Sequence, residues 1–216
     1  LVTRAIQETA GLVMTWNGEP IESYYYSTCG GMTASLHEVW GKEKLPYLSS
    51  QPDLNSNGQP WCAGSAYLNW EFHWSWEQLD QMARNYLSTA RPNPEISVQR
   101  VERLQVLSYF PDGRVNQLEL IGEKGKRTII SGDKTRWLLR DPAQPQKILP
   151  SARFKLEAWG TKGVTAKGSG YGHGIGLCQM GARERARQGE TFREILSAYY
   201  PGTVIETWKD ETASTP

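Results

Sequence analysis

The chain has 216 residues and a formal net charge of +1, a length that allows one sizeable domain or two small ones. So small a charge gives no bulk attraction to nucleic acid or to an anionic membrane, and no apolar run reaches the roughly 20 residues of a membrane span. The 9 Trp and 10 Tyr suit either a core or the flat faces of sugars. Because the chain begins at Leu1 with no visible signal peptide, we expect a trimmed or processed product whose upstream sequence is missing.

The N-terminal part predicts a β-hairpin. Asn17-Gly18 favours a two-residue turn between a strand over Leu12–Trp16 and a second strand over residues 21–27. The pair Gly30-Gly31 then breaks the strand pattern, and the polar, Pro- and Gly-containing residues 48–65 predict a loop.

The middle of the chain predicts one helix followed by several strands. Ser75 and Gln78 have the spacing of a capping box. The apolar residues behind it share one helical face: Trp76, Leu79, Ala83, Tyr86 and Leu87. Residues 96–130 then alternate as strands with turns at "PDGR" and "EKGK", a short helix follows Ser131, and "ARFKLEAWG" predicts another strand.

The last part predicts two helices and a final strand. One helix covers "GARERARQGE", and the next begins at a capping box formed by Thr191 and Glu194. We therefore expect an α+β fold with a mainly antiparallel sheet and a helical C-terminal third. We expect one domain over residues 1–208, incomplete at its N-terminus, with residues 64–165 as a sub-lobe and residues 209–216 as a disordered tail.

The glycine-rich run "GSGYGHGIGLCQMGA", residues 168–182, is the least ordinary stretch. It matches neither the dinucleotide fingerprint nor the P-loop, because the required third Gly and the Lys-Ser/Thr pair are absent. It predicts a loop whose backbone can approach a ligand and which leads into a helix beginning near residues 177–181. His173 and Gln179 offer the polar side chains, while a tight turn around a satisfied histidine is the alternative.

The chain has three cysteines, Cys29, Cys62 and Cys178, and none forms a CxxC pair. The odd number fits one disulfide with one free thiol, or three ligands for a metal ion. A nucleophilic Cys29 activated by His173 is a third interpretation.

Five segments follow one another along nearly the whole chain: "ETAGLVMTWNGEPIESYYYSTCGGMTASLHEVWG", "PYL", "ISGDKTRWLL", "LPSARFKLE" and "GYGHGIGLCQMGARERARQGETFREILSAYYPGT". In this order they resemble the SpoIID/LytB family of peptidoglycan lytic transglycosylases. The resemblance implies an extracytoplasmic cell-wall protein with a role in sporulation or general wall turnover. Its implied partners are peptidoglycan glycan strands and a second cell-wall hydrolase, with no nucleic acid and no membrane span in this chain.

The implied reaction is the non-hydrolytic cleavage, by a lyase, of the MurNAc–GlcNAc β-1,4 bond to give 1,6-anhydro-muramic ends. One carboxyl group protonates the glycosidic oxygen and then accepts the proton of the sugar's C6 hydroxyl. In the family this Glu lies upstream of the hairpin, so we expect it outside this chain and expect the chain alone to be inactive or weak. The carboxylates near the matched motifs are Glu8, Glu19, Glu22 and Glu38. A non-catalytic glycan-binding or amidase-enhancer module is the alternative function.

The resemblance also implies site residues. His173 takes a supporting role in catalysis, and the turn and the glycine-rich loop face each other across a sugar-binding groove. The residues expected to bind substrate are Ser27, Thr28, Gly30, Gly31, Trp40, Tyr171, Gly172, Gly174 and Gln179. A Cys29–Cys62 disulfide is implied, with Cys178 as a buried thiol and no cofactor. Zinc held by Cys29, Cys62 and Cys178, with His173 as a fourth ligand, is the alternative.

Overall fold

A computed structural model describes residues 2–90 and 100–208, and within these ranges it contains six α-helices and eleven β-strands. The helices are α1 (Val2–Glu8), α2 (Leu36–Trp40), α3 (Trp76–Ala90), α4 (Thr135–Leu138), α5 (Gln179–Arg187) and α6 (Phe192–Tyr199). The strands are β1 (Leu12–Trp16), β2 (Glu19–Pro20), β3 (Tyr25–Tyr26), β4 (Trp70–Ser75), β5 (Val101–Tyr109), β6 (Val115–Gly122), β7 (Arg127–Ser131), β8 (Phe154–Trp159), β9 (Gly163–Gly168), β10 (Leu177–Cys178) and β11 (Val204–Thr207). The predicted tail at residues 209–216 and the predicted strand start at residues 96–99 lie outside the described residues.

The fold is α+β, as predicted, but its strands form four small sheets. Their orders are β11-β1-β2, β10-β3, β4-β9-β8 and β5-β6-β7. Every described pairing between strands is antiparallel except that of β3 with β10, which is parallel.

The expectation of a helical C-terminal third is wrong. Alongside α5 and α6, this part of the chain holds β8, β9, β10 and β11. Strand β9 was not predicted, because its sequence "GVTAKG" is short and has glycine at both ends. All six of its residues pair with β4 on one side and with β8 on the other, so its extended form depends on residues far away in the sequence.

The predicted N-terminal hairpin is confirmed at its turn and wrong in its second strand. Asn17 and Gly18 both have positive φ, at 55° and 82°, as a type I′ turn requires. Strand β2 has only two residues, and of residues 21–27 only Tyr25–Tyr26 form a strand, paired with β10 instead of β1. The chain leaves β1 because Tyr26 packs in a core with Ile175 and Tyr200.

The buried apolar side chains form two clusters. The first lies between α3, α4 and the strands β4–β9, around the fully buried Trp74. The second joins residues 26–62 to residues 175–200. The expected sub-lobe at residues 64–165 stays a prediction.

Local helix signals are confirmed. Ser75 and Gln78 exchange side chain–backbone hydrogen bonds of 2.9 and 3.2 Å before α3, and Leu79, Ala83 and Leu87 are buried on one face of that helix. Thr191 and Glu194 form the second capping box before α6. The short helix after Ser131 is present as a 3-10 turn, Gly132–Lys134, followed by α4. Among the described residues, no helix is both long and apolar enough to cross a membrane.

Candidate functional site

Two distant segments form one hydrogen-bonded unit. Thr28 and Tyr171 exchange backbone hydrogen bonds of 3.1 and 2.8 Å, and the Ala34 N–H donates to the Gly174 carbonyl at 2.7 Å. Strand β3 pairs with β10 immediately beside them. The turn and the glycine-rich loop are therefore in direct backbone contact, and the expected sugar-binding groove between them stays a prediction.

The glycines let the loop approach the rest of the protein. Gly174 has φ 91°, and a Cβ there would lie 2.1 Å from Nη2 of the buried Arg114. Gly176 has φ 75°, and a Cβ there would lie 2.1 Å from the Tyr24 carbonyl oxygen. Only glycine fits both positions, so the run serves close packing of the loop onto β3 and Arg114.

His173 has both ring nitrogens engaged by the backbone. The Ile175 N–H donates to Nδ1 at 3.1 Å, so the proton of the neutral ring is on Nε2, which donates to the Tyr25 carbonyl at 3.1 Å. Burial lowers the pKa of His173 below its usual value. The satisfied histidine, one of the two interpretations of the sequence, matches these contacts, and neither ring nitrogen is left for a sugar hydroxyl.

The ring of His173 belongs to an aromatic face formed by Tyr24, Trp40 and His173. The Trp40 ring centroid is 5.0 Å from that of His173 and 5.0 Å from that of Tyr24, which it meets edge to face. Trp40 remains 39% exposed. A second exposed aromatic pair, Tyr67 and Tyr171, has its ring centroids 4.4 Å apart.

A basic groove lies at one end of the β4-β9-β8 sheet, with a volume of about 640 Å³. Arg153, Lys155 and Lys167 line it, together with Glu71 and apolar side chains of the sheet. The Arg153 Nη1 atom donates to the Gly30 carbonyl at 2.6 Å, which connects the groove to the Ser-Thr-Cys-Gly-Gly turn. Tyr67 and Arg153 were missed by sequence reasoning, because no local pattern distinguishes them from ordinary surface residues.

The residues expected to bind substrate differ in accessibility. Trp40, Tyr171 and Gln179 are exposed, and Ser27, Gly30 and Gly172 are half-buried. Thr28, Gly31 and Gly174 are buried, and the Thr28 hydroxyl bonds Ser65 Oγ at 2.7 Å. These three residues lie beneath the protein surface and are not accessible to a ligand from outside.

The carboxylates of the matched motifs lie in different environments. Glu8 pairs with Arg4 at the surface, Glu19 is exposed, and a hydrogen bond from Tyr24 lowers the pKa of Glu22. Glu38 is half-buried in α2, and its Oε2 atom has no hydrogen-bond partner among the described residues. Burial, and then the charge of Asp112, raise the pKa of Glu38 above its usual value.

All three cysteines are buried free thiols and lie together. The Sγ atoms of Cys29 and Cys62 are 3.4 Å apart, and all three sulfur atoms lie within 4.8 Å of one another. Hydrogen bonds from Cys178 and Cys29 lower the pKa of Cys62 well below its usual value. The Cys29 thiol contacts Asp53 and Cys62, so the described contacts do not support a Cys29–His173 nucleophilic pair.

Comparison with known proteins gives one domain family and several curated relatives. A family model described as "Domain of unknown function (DUF8618)" matches residues 61–176, more than half of the chain. The amidase enhancer of Bacillus subtilis (strain 168) is 27% identical over 230 residues, which cover 95% of this chain and 32% of that protein. Stage II sporulation protein D of the same strain is 27% identical over 205 residues, covering 94% of this chain and 50% of that protein.

A further relative is the stage II sporulation protein D of Bacillus amyloliquefaciens, 28% identical over 207 residues that cover 94% of this chain. The chain spans from 32% to 50% of the length of these relatives. It belongs to the family of the matched domain of unknown function, and these relatives support its similarity to the SpoIID/LytB family.

Proposed function

We propose that the chain binds peptidoglycan glycan strands outside the cytoplasm and forms the substrate-binding part of a lytic transglycosylase. The names of the relatives, stage II sporulation protein D and amidase enhancer, support a role connected with the cell wall. The observation that carries the proposal is the aromatic face, where the exposed Trp40 is supported from behind by His173 and Tyr24.

An exposed, rigidly supported ring suits the apolar face of a pyranose. Trp40 is held by two ring contacts, so little side-chain freedom is left to lose when a sugar stacks on it. The Tyr67–Tyr171 pair offers a second stacking surface. The basic groove adds Arg153, Lys155 and Lys167, whose charges complement the carboxylates carried by peptidoglycan.

Cleavage without water needs one carboxyl group that donates a proton and then accepts one. In this proposal His173 has a positioning role, because its ring packs against Trp40 and its two nitrogens hold the loop. Glu38 lies in the same short helix as Trp40, and burial raises its pKa above the usual value.

The experiment is a pelleting assay with purified peptidoglycan sacculi. Trp40→Ala should weaken binding about tenfold through loss of the stacking surface. Trp159→Ala is the matched control, because Trp159 is similarly exposed at 38% but lies at the far end of β8 from the groove. Equal binding by both variants would reject the aromatic face as the binding surface.

A second candidate function is that of an amidase enhancer, favoured by the relative that bears this name. The full-length protein distinguishes the two. Digestion of sacculi followed by mass spectrometry should give 1,6-anhydro-muropeptides if the protein is a lytic transglycosylase. Intact glycan strands together with faster cleavage by an added amidase would instead identify the enhancer.

A further inference from the structure

Three cysteines from three parts of the chain meet in one buried cluster. Cys29 lies in the turn after β3, Cys62 in the long loop before β4, and Cys178 at the end of β10. Their exposed fractions are 0%, 1% and 0%, and their sulfur atoms lie within 4.8 Å of one another. Zn–S bonds of about 2.3 Å in a tetrahedron separate the sulfurs by about 3.8 Å, so the cluster needs only small adjustments to hold an ion.

Backbone N–H groups point at these sulfur atoms. The Cys29 N–H donates to Cys178 Sγ at 3.2 Å, the Gly31 N–H to Cys29 Sγ at 3.2 Å, and the Gly181 N–H to Cys178 Sγ at 3.4 Å. Cys178 is also the N-cap of α5, so its sulfur lies at the positive end of that helix. Donors arranged in this way stabilise thiolates and resemble the outer hydrogen bonds of metal–thiolate sites.

The surroundings supply further polar groups. Asp53 is 1% exposed, and its Oδ2 atom lies 3.2 Å from Cys29 Sγ and accepts a hydrogen bond from the Tyr199 hydroxyl. Arg185 pairs with the other oxygen of Asp53 at 3.3 Å. The Asp53 carboxylate is thus close enough to serve as a fourth ligand. The Arg185 guanidinium compensates part of the negative charge of the thiolates.

A Cys29–Cys62 disulfide does not account for the position of the third sulfur atom. A bond between Cys29 and Cys62 would use two sulfurs, while the third, Cys178, lies in the same cluster and accepts two N–H groups. Three convergent sulfurs with directed donors fit a coordination site better than one bond and a spare thiol.

We propose that Cys29, Cys62 and Cys178 bind one Zn²⁺ ion as thiolates. Binding forms three Zn–S bonds and releases to solvent the protons that the thiols still carry, with no change of oxidation state. The ion joins residues 33 and 149 positions apart in the sequence and so connects the turn after β3 to the glycine-rich run. The proposal concerns the buried cluster and does not depend on glycan binding.

The first test is metal content. Untagged protein purified without chelator should carry one zinc per chain by inductively coupled plasma mass spectrometry. Cobalt exchanged into the site should show the absorption bands of tetrahedral, thiolate-bound Co²⁺. Cys62→Ser should lower zinc to well below one equivalent, whereas His37→Asn, which removes an exposed imidazole in α2, should leave it unchanged.

A cysteine variant that fails to fold would also lose zinc, so the wild-type chain is tested as well. Chelator-treated, reduced wild-type protein should regain about one zinc per chain on titration, with a rise in melting temperature and a release of protons. A non-reducing mass 2 Da below that of the reduced chain, without metal, would overturn the proposal in favour of the disulfide. Three freely titrating thiols without cobalt bands would overturn it equally.

Discussion

At the scale of single residues, the glycine-rich loop is held by contacts that leave little freedom for substitution. His173 joins the loop to β3 through the Tyr25 carbonyl and orders the following turn through the Ile175 N–H. Gly174, beside it, lies against the buried Arg114. These two residues were expected to meet a substrate, and their described contacts are with the protein itself.

His173 should make stability depend on pH. Its pKa is lower in the folded chain than the unfolded value of about 6.5, because burial disfavours the charged ring, so the unfolded chain binds more protons. The stabilisation is complete above pH 6.5 and is lost as the pH falls towards the folded pKa. His173→Asn keeps an acceptor near the Ile175 N–H without titrating, so urea unfolding should show a smaller loss between pH 7.5 and 5 for this variant.

The control for that series is His173→Ala. It leaves the N–H of the buried Ile175 without its partner and should cost about 1–3 kcal/mol at pH 7.5. An identical pH dependence in the wild type and in His173→Asn would contradict a neutral, backbone-bonded histidine.

Gly174→Ala should destabilise the chain more than an ordinary glycine substitution. The new Cβ would lie 2.1 Å from Arg114 Nη2 and would also require a positive φ. Gly58→Ala is the matched control, because Gly58 has φ 74° but open space around it. We expect a cost of about 1 kcal/mol for Gly58→Ala and at least about 2 kcal/mol for Gly174→Ala in chemical denaturation. Equal costs would show that the loop can move away from Arg114.

At the scale of elements, the helices begin where short-range signals place them. Both capping boxes are present, and α5 begins at Gln179, within the expected residues 177–181. These signals act within one turn of helix, so they operate in the same way whatever the rest of the chain does.

Thr191→Ala should weaken α6. The Thr191 hydroxyl accepts from the Glu194 N–H at 3.3 Å, and its loss leaves a donor of the first turn without a partner. The free energy of unfolding should fall by about 1 kcal/mol. Thr161→Ala, at an exposed turn position, should be nearly neutral, and similar losses in both variants would argue against the cap as the cause.

At the scale of the whole molecule, Arg153 connects the two halves of the proposed binding surface. It lies beside β8, lines the basic groove and donates to the Gly30 carbonyl in the other cluster.

The double variant Lys155→Gln, Lys167→Gln should bind sacculi about 3-fold more weakly, because it removes the groove charge of Lys155 together with that of Lys167, which Glu157 already pairs at 2.7 Å. The difference from wild type should shrink at high salt. The double variant Lys126→Gln, Lys147→Gln is the control, with two exposed lysines outside the groove. Equal weakening in both would indicate a nonspecific charge effect.

The sequence alone was enough for features that depend on neighbouring residues. The Asn17-Gly18 turn, the capping boxes, most strand segments and the α+β class follow from local conformational preference and apolar periodicity. Its ordered motifs also indicated the SpoIID/LytB family, which the curated relatives support.

Only the tertiary structure decided which distant groups meet. The parallel pairing of β3 with β10, the strand β9 between two partners and the contact of Gly174 with Arg114 all join residues far apart in sequence. The hydrogen bond between the His173 ring and the Tyr25 carbonyl also joins distant parts of the chain, as does the cluster of Cys29, Cys62 and Cys178. Local preference carries no information about such contacts, because they form only when burial of both apolar clusters brings the segments together.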